Sequence, residues 1–372
     1  MMNDLLDKKR IAVLFGGRSG EHDVSLASAR SVLSVLDRNK YEIFPVGISQ
    51  SGTWYYGSNV LDHLSSGNVN DLEMVTILPD PGMSGLYRIN SGNLELLTPL
   101  DAVFPVLHGT FGEDGTLQGL LEMADLAYVG GGVLGSAVGM DKGVFKDVMR
   151  ANDIPVVESI LVLRKYIEKN IYQVITLIES EFSYPVFVKP ANLGSSVGIS
   201  KCIHRSDLGE GLLEAAKFDR RILIERGVNA REIEISVLGN DDPRASVAGE
   251  VLPSRDFYSY ESKYVDGSSG LSIPADIPTT TSDQIRAMAI KAFKAIDCSG
   301  MARVDFFLDK DNGKFYLNEL NSLPGFTSIS MYPKLWQASD LPYTALVDTL
   351  IELAFERKIE RDRTEHSFRS IS

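Results

Sequence analysis

M-A-R-V-D-F-F-L-D (301–309) and F-Y-L-N-E-L-N-S-L-P-G-F-T-S (315–328) are the segments on which the reading of this chain turns. Apolar β-formers alternate with polar residues on both sides of D-K-D-N-G (309–313), whose Asp-Asn-Gly supplies hairpin chemistry, so the pattern predicts two strands joined by a short turn. Successive strand residues point to opposite faces, which puts Arg303 beside Asp305 on one strand and Glu319 beside Asn321 on the next. Two carboxylates, a carboxamide and a guanidinium then crowd one small region. Hard cations such as Mg²⁺ take such oxygen donors and share them with substrate phosphates. The competing reading is a solvated hairpin face carrying a surface ion pair. The abrupt S-L-P-G turn (322–325), which ends an otherwise good strand, favours the edge of a site.

At 372 residues the chain is too long for one core and predicts two or three domains. An apolar content of 44% with mean hydropathy of −0.02 is that of a soluble globular protein. Acidic residues exceed basic ones by 50 to 37, and the resulting charge of −13 argues against general nucleic-acid binding. Anionic ligands must therefore be met by local positive groups. Cys202 and Cys298 are the only cysteines and stand far apart, which argues against a disulfide framework and points to a reducing compartment. The opening apolar run of about five residues is too short for a signal peptide, and no stretch approaches the ~20 apolar residues of a membrane span. A cytoplasmic protein is expected, with no membrane partner.

Upstream, I-A-V-L-F (11–15) runs into Gly16-Gly17, with helical periodicity over 24–36, so a strand, a glycine turn and a helix are expected. The G-G-x-S-G-E turn lacks the third glycine of a dinucleotide fingerprint, and a tight strand-to-helix turn is its favoured reading. Glu21 suits a helix first turn, where a carboxylate complements the dipole. Further strands are expected at 41–48 and 101–106, while 54–93 gives no clear assignment. The loop L-H-G-T-F-G-E-D-G-T-L-Q-G (107–119) follows the second of these strands and borders the same crevice as Gly16 if the sheet is an open α/β one. His108 has no second histidine or cysteine at ligand spacing, which argues against a metal there.

Gly130-Gly131-Gly132 reads as a hinge or interdomain turn. A helix is expected at 142–150, where Lys142 is by default solvent-facing. P-V-F-V-K (185–189) reads as a buried strand followed by the flexible tip P-A-N-L-G-S-S-V-G (190–198) and a return strand. Such a tip could fold over phosphates while Lys189 reaches them from the strand. It is not a Walker loop, and a lysine inside an apolar strand needs a partner. Strands at 221–225 and 232–238 flank a turn suited to reading an adenine edge. Residues 254–273 form a long aromatic, polar loop of the kind that serves as a lid. Helices follow at 282–296 and 343–354, and the charge-rich 356–372 reads as a frayed tail.

Taken together, G-G-R-S-G-E-H-D-V-S, H-G-T-F-G-E-D-G-T-L-Q-G, M-D-K, V-K-P-A-N-L-G-S-S-V-G-I-S, Y-E-S-K-Y, A-R-V-D-F-F-L-D and N-E-L-N-S-L-P-G-F-T closely resemble, in order, the D-alanine–D-alanine ligases of the ATP-grasp superfamily. The resemblance runs from about 9 to 354. It implies an α/β N-terminal substrate-binding domain with an open parallel sheet (1–131). A two-domain α+β ATP-grasp fold would follow, with a central part (132–226) and a C-terminal part carrying the lid and metal site (227–372). It implies ATP and two Mg²⁺ or Mn²⁺ as cofactors, D-alanine as substrate and a homodimer.

By position, the resemblance implies Lys142 and Lys189 on the ATP phosphates and a covering loop that includes Ser196 and Val197. Glu225, Arg226 and Glu232 would surround the adenosine, Lys263 would contact ATP, and Asp305, Glu319 and Asn321 would hold the metals. Glu21 would take the first D-alanine's ammonium, supported by Ser195 and Tyr264, with His108 beside its carboxylate. Arg303 and the Gly325 amide would sit at the oxyanion, and Ser330 with Met331 near the second substrate. The implied reaction is ATP-dependent ligation of two D-alanines through a D-alanyl phosphate, for peptidoglycan precursor synthesis. Relatives making D-alanyl–D-lactate typically depart from Tyr264, so its hydroxyl argues for the dipeptide; a D-lactate ligase and a non-catalytic nucleotide sensor are the competing functions. The 54–93 segment is longer than in the shortest relatives, and Leu320 and Leu323 fall at variable places of the N-E-x-N-x-x-P-G pattern.

Overall fold

The computed structural model describes residues 8–194, 197–252, 270–327 and 329–365, which form three sheets clad by helices. The first sheet holds β1 (Lys9–Gly16), β2 (Tyr41–Ile48), β3 (Trp54–Tyr56), β4 (Glu73–Ile77), β5 (Gly85–Asn90), β6 (Asn93–Pro99), β7 (Ala102–Leu107) and β8 (Ala127–Tyr128), in the order β6-β5-β4-β3-β2-β1-β7-β8. β2, β1, β7 and β8 are parallel, as expected of an open sheet, and Ile11 to Phe15 are wholly buried because helices or other elements cover both faces. The unassigned 54–93 stretch supplies the antiparallel half, β3 to β6, whose short strands and separating turns weaken any periodic signal.

α1 (His22–Val35) and α2 (Val60–Ser66) cover one face of that sheet, and α3 (Thr116–Met123) the other. Gly16 and Gly17 adopt φ of +89° and +100°, and a β-carbon at Gly16 would strike the Ile48 carbonyl oxygen. Their amides are consumed locally, Gly16 by the Ser25 hydroxyl at 2.7 Å and Gly17 by the Ile48 carbonyl at 2.8 Å. The glycine pair is thus a tight turn, as its spacing suggested.

Beyond 130 come α4 (Val133–Met140) and α5 (Lys142–Ala151), then β9 (Ser159–Leu163), α6 (Arg164–Glu181), β10 (Val186–Pro190), β11 (Ser200–Cys202), α7 (Arg205–Phe218) and β12 (Arg221–Arg226). The second sheet, β11-β10-β12-β9, is antiparallel and buries Val186 and Val188 against α6 and α7. Strand alternation turns Phe187 and Lys189 to its other face. The third sheet holds β13 (Ala230–Gly239), β14 (Arg244–Ala245), β15 (Gly249–Leu252), β16 (Gly270–Ser272), β17 (Gly300–Asp309) and β18 (Phe315–Asn321). α8 (Thr279–Ala295) packs on it, and Phe145 and Met149 of α5 join the same core.

Gly130 lies so close to Leu323 that a side chain there would collide with it, and Gly131 abuts Ser322 and Cys298. Close approach between two sheets, rather than hinge freedom, accounts for these glycines. α9 (Met331–Gln337) and α10 (Tyr343–Arg361) return to the first sheet, where Leu346, Leu350 and Ile351 share a core with Ile11 and Val13. The expected frayed tail from 356 is corrected here: α10 runs on to Arg361. Arg357 donates to the Tyr128 carbonyl at 2.8 Å, the Ser299 hydroxyl at 2.7 Å and the Gly130 carbonyl. Arg361 meets Glu122 at 2.6 Å and Asp125 at 2.9 Å. Two of the charges that suggested a solvated tail, Arg357 and Arg361, are thus spent largely on residues 122–130 beside the first sheet. Residues 366–372 lie outside the described residues.

Candidate active site

A cleft of about 1040 Å³ opens where the three sheets converge. Twelve of the predicted site residues line it: Glu21, His108, Lys142, Lys189, Glu225, Arg226, Glu232, Arg303, Asp305, Glu319, Asn321 and Gly325. Against a chain charge of −13, its walls also carry Lys201, Arg231 and Lys310, the local cations an anionic ligand needs.

The hairpin forms as predicted. β17 and β18 pair with Arg303 opposite Asn321 and Asp305 opposite Glu319, with a register shift just after Asp305. Directly opposed antiparallel residues share a face, so the strand argument from alternation holds across the pair. The Asn321 amide donates to Asp305 Oδ2 at 3.1 Å. The Arg303 guanidinium forks onto Asp305 at 2.8 and 2.7 Å and reaches Glu234, on the neighbouring β13, at 3.0 Å. Among the described residues no group of three histidine, cysteine or acidic side chains is arranged to hold a metal on its own. Two carboxylates and one carboxamide are nonetheless the hard, incomplete donor set that suits Mg²⁺ or Mn²⁺ when phosphate and water complete the shell.

Lys142, by default solvent-facing, is corrected by the structure. It opens α5 with Asp141 as N-cap, whose carboxylate accepts from the Gly143 and Val144 amides at 3.0 and 2.9 Å. That start aims its side chain inward, where it is only 8% exposed and donates to the Leu193 carbonyl at 2.7 Å. Its ammonium stands 3.8 Å from Glu319. Lys189 has the partner its strand position demanded: Glu225 at 2.5 Å. Burial would raise the Glu225 carboxyl, but Lys146 and Lys189 outweigh it and draw it down to about 2.

Across the cleft, Glu21 sits at the head of α1, its amide held by the Ser19 hydroxyl at 2.9 Å. Two glycines crowd its carboxylate. A β-carbon on Gly109 would come 2.5 Å from Glu21 Oε2, and one on Gly194 would come 2.7 Å from it. His108 is buried, with Nδ1 at 3.1 Å from the Leu323 carbonyl and Nε2 at 3.1 Å from the Ser28 hydroxyl. A carbonyl only accepts, so Nδ1 carries the proton and Nε2 takes the Ser28 hydroxyl hydrogen. Burial lowers the ring's pKa, with Glu21 opposing, and holds it neutral. The Glu113 carboxyl, accepting from the Gly109 amide at 2.7 Å, is raised well above the usual range by burial and by Glu21.

Not every predicted residue reaches the cleft wall. Val197 closes the turn onto the Gly194 carbonyl at 3.2 Å. Ser330 accepts from the Thr327 amide at 3.0 Å and braces the loop after Gly325. Met331 is buried at the head of α9 against Leu335 and Val251, behind the wall rather than in it. Ser195, Ser196, Lys263 and Tyr264 lie outside the described residues, as does most of the expected lid. The residue reading passed over Lys146, Glu113 and Glu234. Lys146 follows Lys142 by one helical turn and Glu234 follows Glu232 by one strand period, so each shares its neighbour's face.

Comparison with known proteins identifies the family. The family model described as "D-ala D-ala ligase N-terminus" matches residues 10–131, and "D-ala D-ala ligase C-terminus" matches 148–352. The D-alanine–D-alanine ligase of Heliobacterium modesticaldum is 49% identical over 96% of this chain and 97% of its own. That of Natranaerobius thermophilus is 46% identical over 98% and 99%. The solved D-alanine–D-alanine ligase of Coxiella burnetii superposes with TM-score 0.82 at 38% identity, over 96% of this chain and 97% of that one. VanG D-Ala:D-Ser ligase of Enterococcus faecalis superposes with TM-score 0.83 at 35% identity, over 94% and 100%. With both halves matched and relatives at this identity across nearly its whole length, the chain belongs to the D-alanine–D-alanine ligase family of ATP-grasp enzymes.

Proposed function

We infer that the protein joins two D-alanine molecules at the expense of ATP, releasing D-alanyl-D-alanine, ADP and phosphate for peptidoglycan precursors. The observation that carries this reading is the meeting, in one cleft, of Lys142 and Lys189 with Asp305, Glu319 and Asn321 and, opposite them, Glu21. Lysines and oxygen donors suit a nucleotide triphosphate with its cations. An inward carboxylate suits a small ammonium.

A free carboxylate is a poor acyl donor, so the γ-phosphoryl group passes to the first D-alanine's carboxylate, giving D-alanyl phosphate and ADP. Lys142 and Lys189 hold the phosphates, with Ser196 and Val197 in the covering loop. Glu232 and the chain from Glu225 through Arg226 border the adenosine, with Lys263 also on ATP. Asp305, Glu319 and Asn321 would hold two Mg²⁺ or Mn²⁺ ions. Such cations, when bound, offset negative charge on the transferring group. Glu21 takes the first D-alanine's ammonium and is supported by Ser195 and Tyr264. Neutral His108 stands beside that substrate's carboxylate.

The second D-alanine lies near Ser330 and Met331. Its amine, once deprotonated, attacks the acyl carbon, and a tetrahedral oxyanion forms. The C–O bond to phosphate then breaks. Arg303 and the Gly325 amide stabilise that oxyanion. Residues 254–273 exclude water, which would otherwise hydrolyse the acyl phosphate.

The D-lactate alternative raised by the sequence is not favoured, since the similar curated proteins are named D-alanine–D-alanine ligases. A homodimer rests on the family resemblance alone, and a cytoplasmic location on the cysteine usage and apolar patterning of the sequence. Among the described residues no helix is long and apolar enough to cross a membrane. ADP formation from ATP and Mg²⁺, followed with and without D-alanine, tests the proposal. Release that depends on D-alanine supports ligation; ATP binding with no D-alanine-dependent release returns the protein to the nucleotide-sensor reading.

A further inference from the structure

Lys146 is 1% exposed, projects from α5 one turn after Lys142, and does not border the cleft. A lone buried ammonium is costly, so its surroundings must answer for it. Its Nζ stands 2.7 Å from Glu225 Oε1, and the Val157 carbonyl lies 3.5 Å away. The other Glu225 oxygen, Oε2, meets the Lys189 ammonium at 2.5 Å. One carboxylate therefore bridges two ammonium groups, with side-chain exposures of 1% for Lys146, 3% for Glu225 and 8% for Lys189. Only Lys189 and Glu225 of the three reach the cleft.

The charge count is what sets this arrangement apart from an ordinary buried pair. Glu225 and Lys189 alone would be neutral and mutually satisfied, and a ligand phosphate would have to compete with a desolvated carboxylate for the lysine. Adding Lys146 leaves the trio with one net positive charge. It also fixes Glu225 from behind, because Oε1 is held by a helix residue that has no ligand to serve.

We propose that Lys146 is a positioning residue for ATP binding: by engaging Glu225 from the side away from the cleft, it keeps Lys189 shared rather than captured and so available to a phosphate oxygen. The low pKa of Glu225 accords with a carboxylate that stays charged between the two, while burial lowers that of Lys146 and Glu225 opposes the shift. The inference deepens the reading above and rests on Lys189 being a phosphate contact.

The test is a cycle of Lys146→Met in the native background and in Glu225→Gln, with Lys189→Ala measured alongside. ATP KM, D-alanine KM, kcat and thermal midpoint are read for each folded variant. With Glu225 present, Lys146→Met is expected to raise ATP KM at least tenfold while D-alanine KM stays within twofold. In Glu225→Gln, where no carboxylate captures Lys189, the same substitution is expected to change ATP KM less than threefold. A rise of equal size in both backgrounds marks a merely structural tether and overturns the proposal, as does an unchanged ATP KM in Lys146→Met. Should Lys146→Met alone fail to fold, the Glu225→Gln pair still decides, because a tenfold difference between its members contradicts the account. If Lys189→Ala leaves ATP KM unchanged, the phosphate role of Lys189 fails instead, and the two failures are told apart.

Discussion

Glu21 and Gly194 approach so closely that a β-carbon at position 194 would lie 2.7 Å from Glu21 Oε2. One residue heads α1 beside the first sheet and the other lies on the loop after β10 of the second, so the missing side chain lets the two walls approach here. Gly194→Ala must push aside the Glu21 carboxylate, the flexible end of that side chain, and so move it from its place in the cleft. D-alanine KM is expected to rise about tenfold or more, with thermal stability little changed. A KM within twofold of the parent would separate Glu21 from the ammonium site.

Arg303 spans Asp305 and Glu234, so its guanidinium is held in place before any substrate arrives. If it acts as one oxyanion donor, Arg303→Ala should cost about 2.7–4 kcal/mol of barrier, a loss of roughly 10²–10³ in kcat. Single-turnover measurements with saturating ATP check this, and a loss under tenfold removes Arg303 from that role.

Asp305 supplies a carboxylate opposite Glu319 and receives the Asn321 amide. Asp305→Asn removes one charge from the donor set. Since even outer-shell changes cost about 10–100-fold in metal affinity, a ligand should cost no less. The Mg²⁺ concentration giving half-maximal activity is expected to rise at least tenfold. An unchanged Mg²⁺ titration would place the cation elsewhere.

These expectations rest on what the strands made visible. Period-two alternation put Arg303, Asp305, Glu319 and Asn321 together because register pairs them directly, a relation two short segments and one turn suffice to define. Lys189 was legible as a buried lysine in need of a partner, but Glu225 stands 36 residues on in the next strand of the sheet, and no local pattern names a cross-strand neighbour. Lys146 was missed because a single lysine on a helix looks solvated until its tertiary partner is known. The C-terminal helix was cut short for a related reason: all but one of the acceptors of Arg357 and Arg361 lie more than 220 residues earlier in the chain.

His108 gives stability a pH dependence of known sign. Its folded pKa lies below the ordinary 6.5, chiefly through burial. The unfolded chain then takes up a proton that the folded one refuses, so stability is full above about pH 6.5 and falls as pH drops below it. The slope reaches at most about 1.4 kcal/mol per pH unit. Urea unfolding of the parent and His108→Gln between pH 7.5 and 5.5 should show this component in the parent alone; identical slopes contradict it.

Arg357 serves three acceptors and lies over the Tyr128 ring at 4.1 Å. Arg357→Met leaves the Gly130 and Tyr128 carbonyls without that donor, a cost of about 3 kcal/mol or more. A thermal midpoint lowered by several degrees is expected. No change would mean that α10 docks through its apolar face alone.

The central claim is ligation of two D-alanines, and a family fold that also includes a D-Ala:D-Ser ligase makes product identity its most direct test. The protein is incubated with ATP, Mg²⁺ and an equimolar mixture of D-alanine, D-lactate and D-serine, and the products are weighed by mass spectrometry. The account predicts D-alanyl-D-alanine as the main product, with one ADP and one phosphate for each dipeptide. A predominance of the depsipeptide or of D-alanyl-D-serine, or ATP turnover with no D-alanyl product, would contradict it.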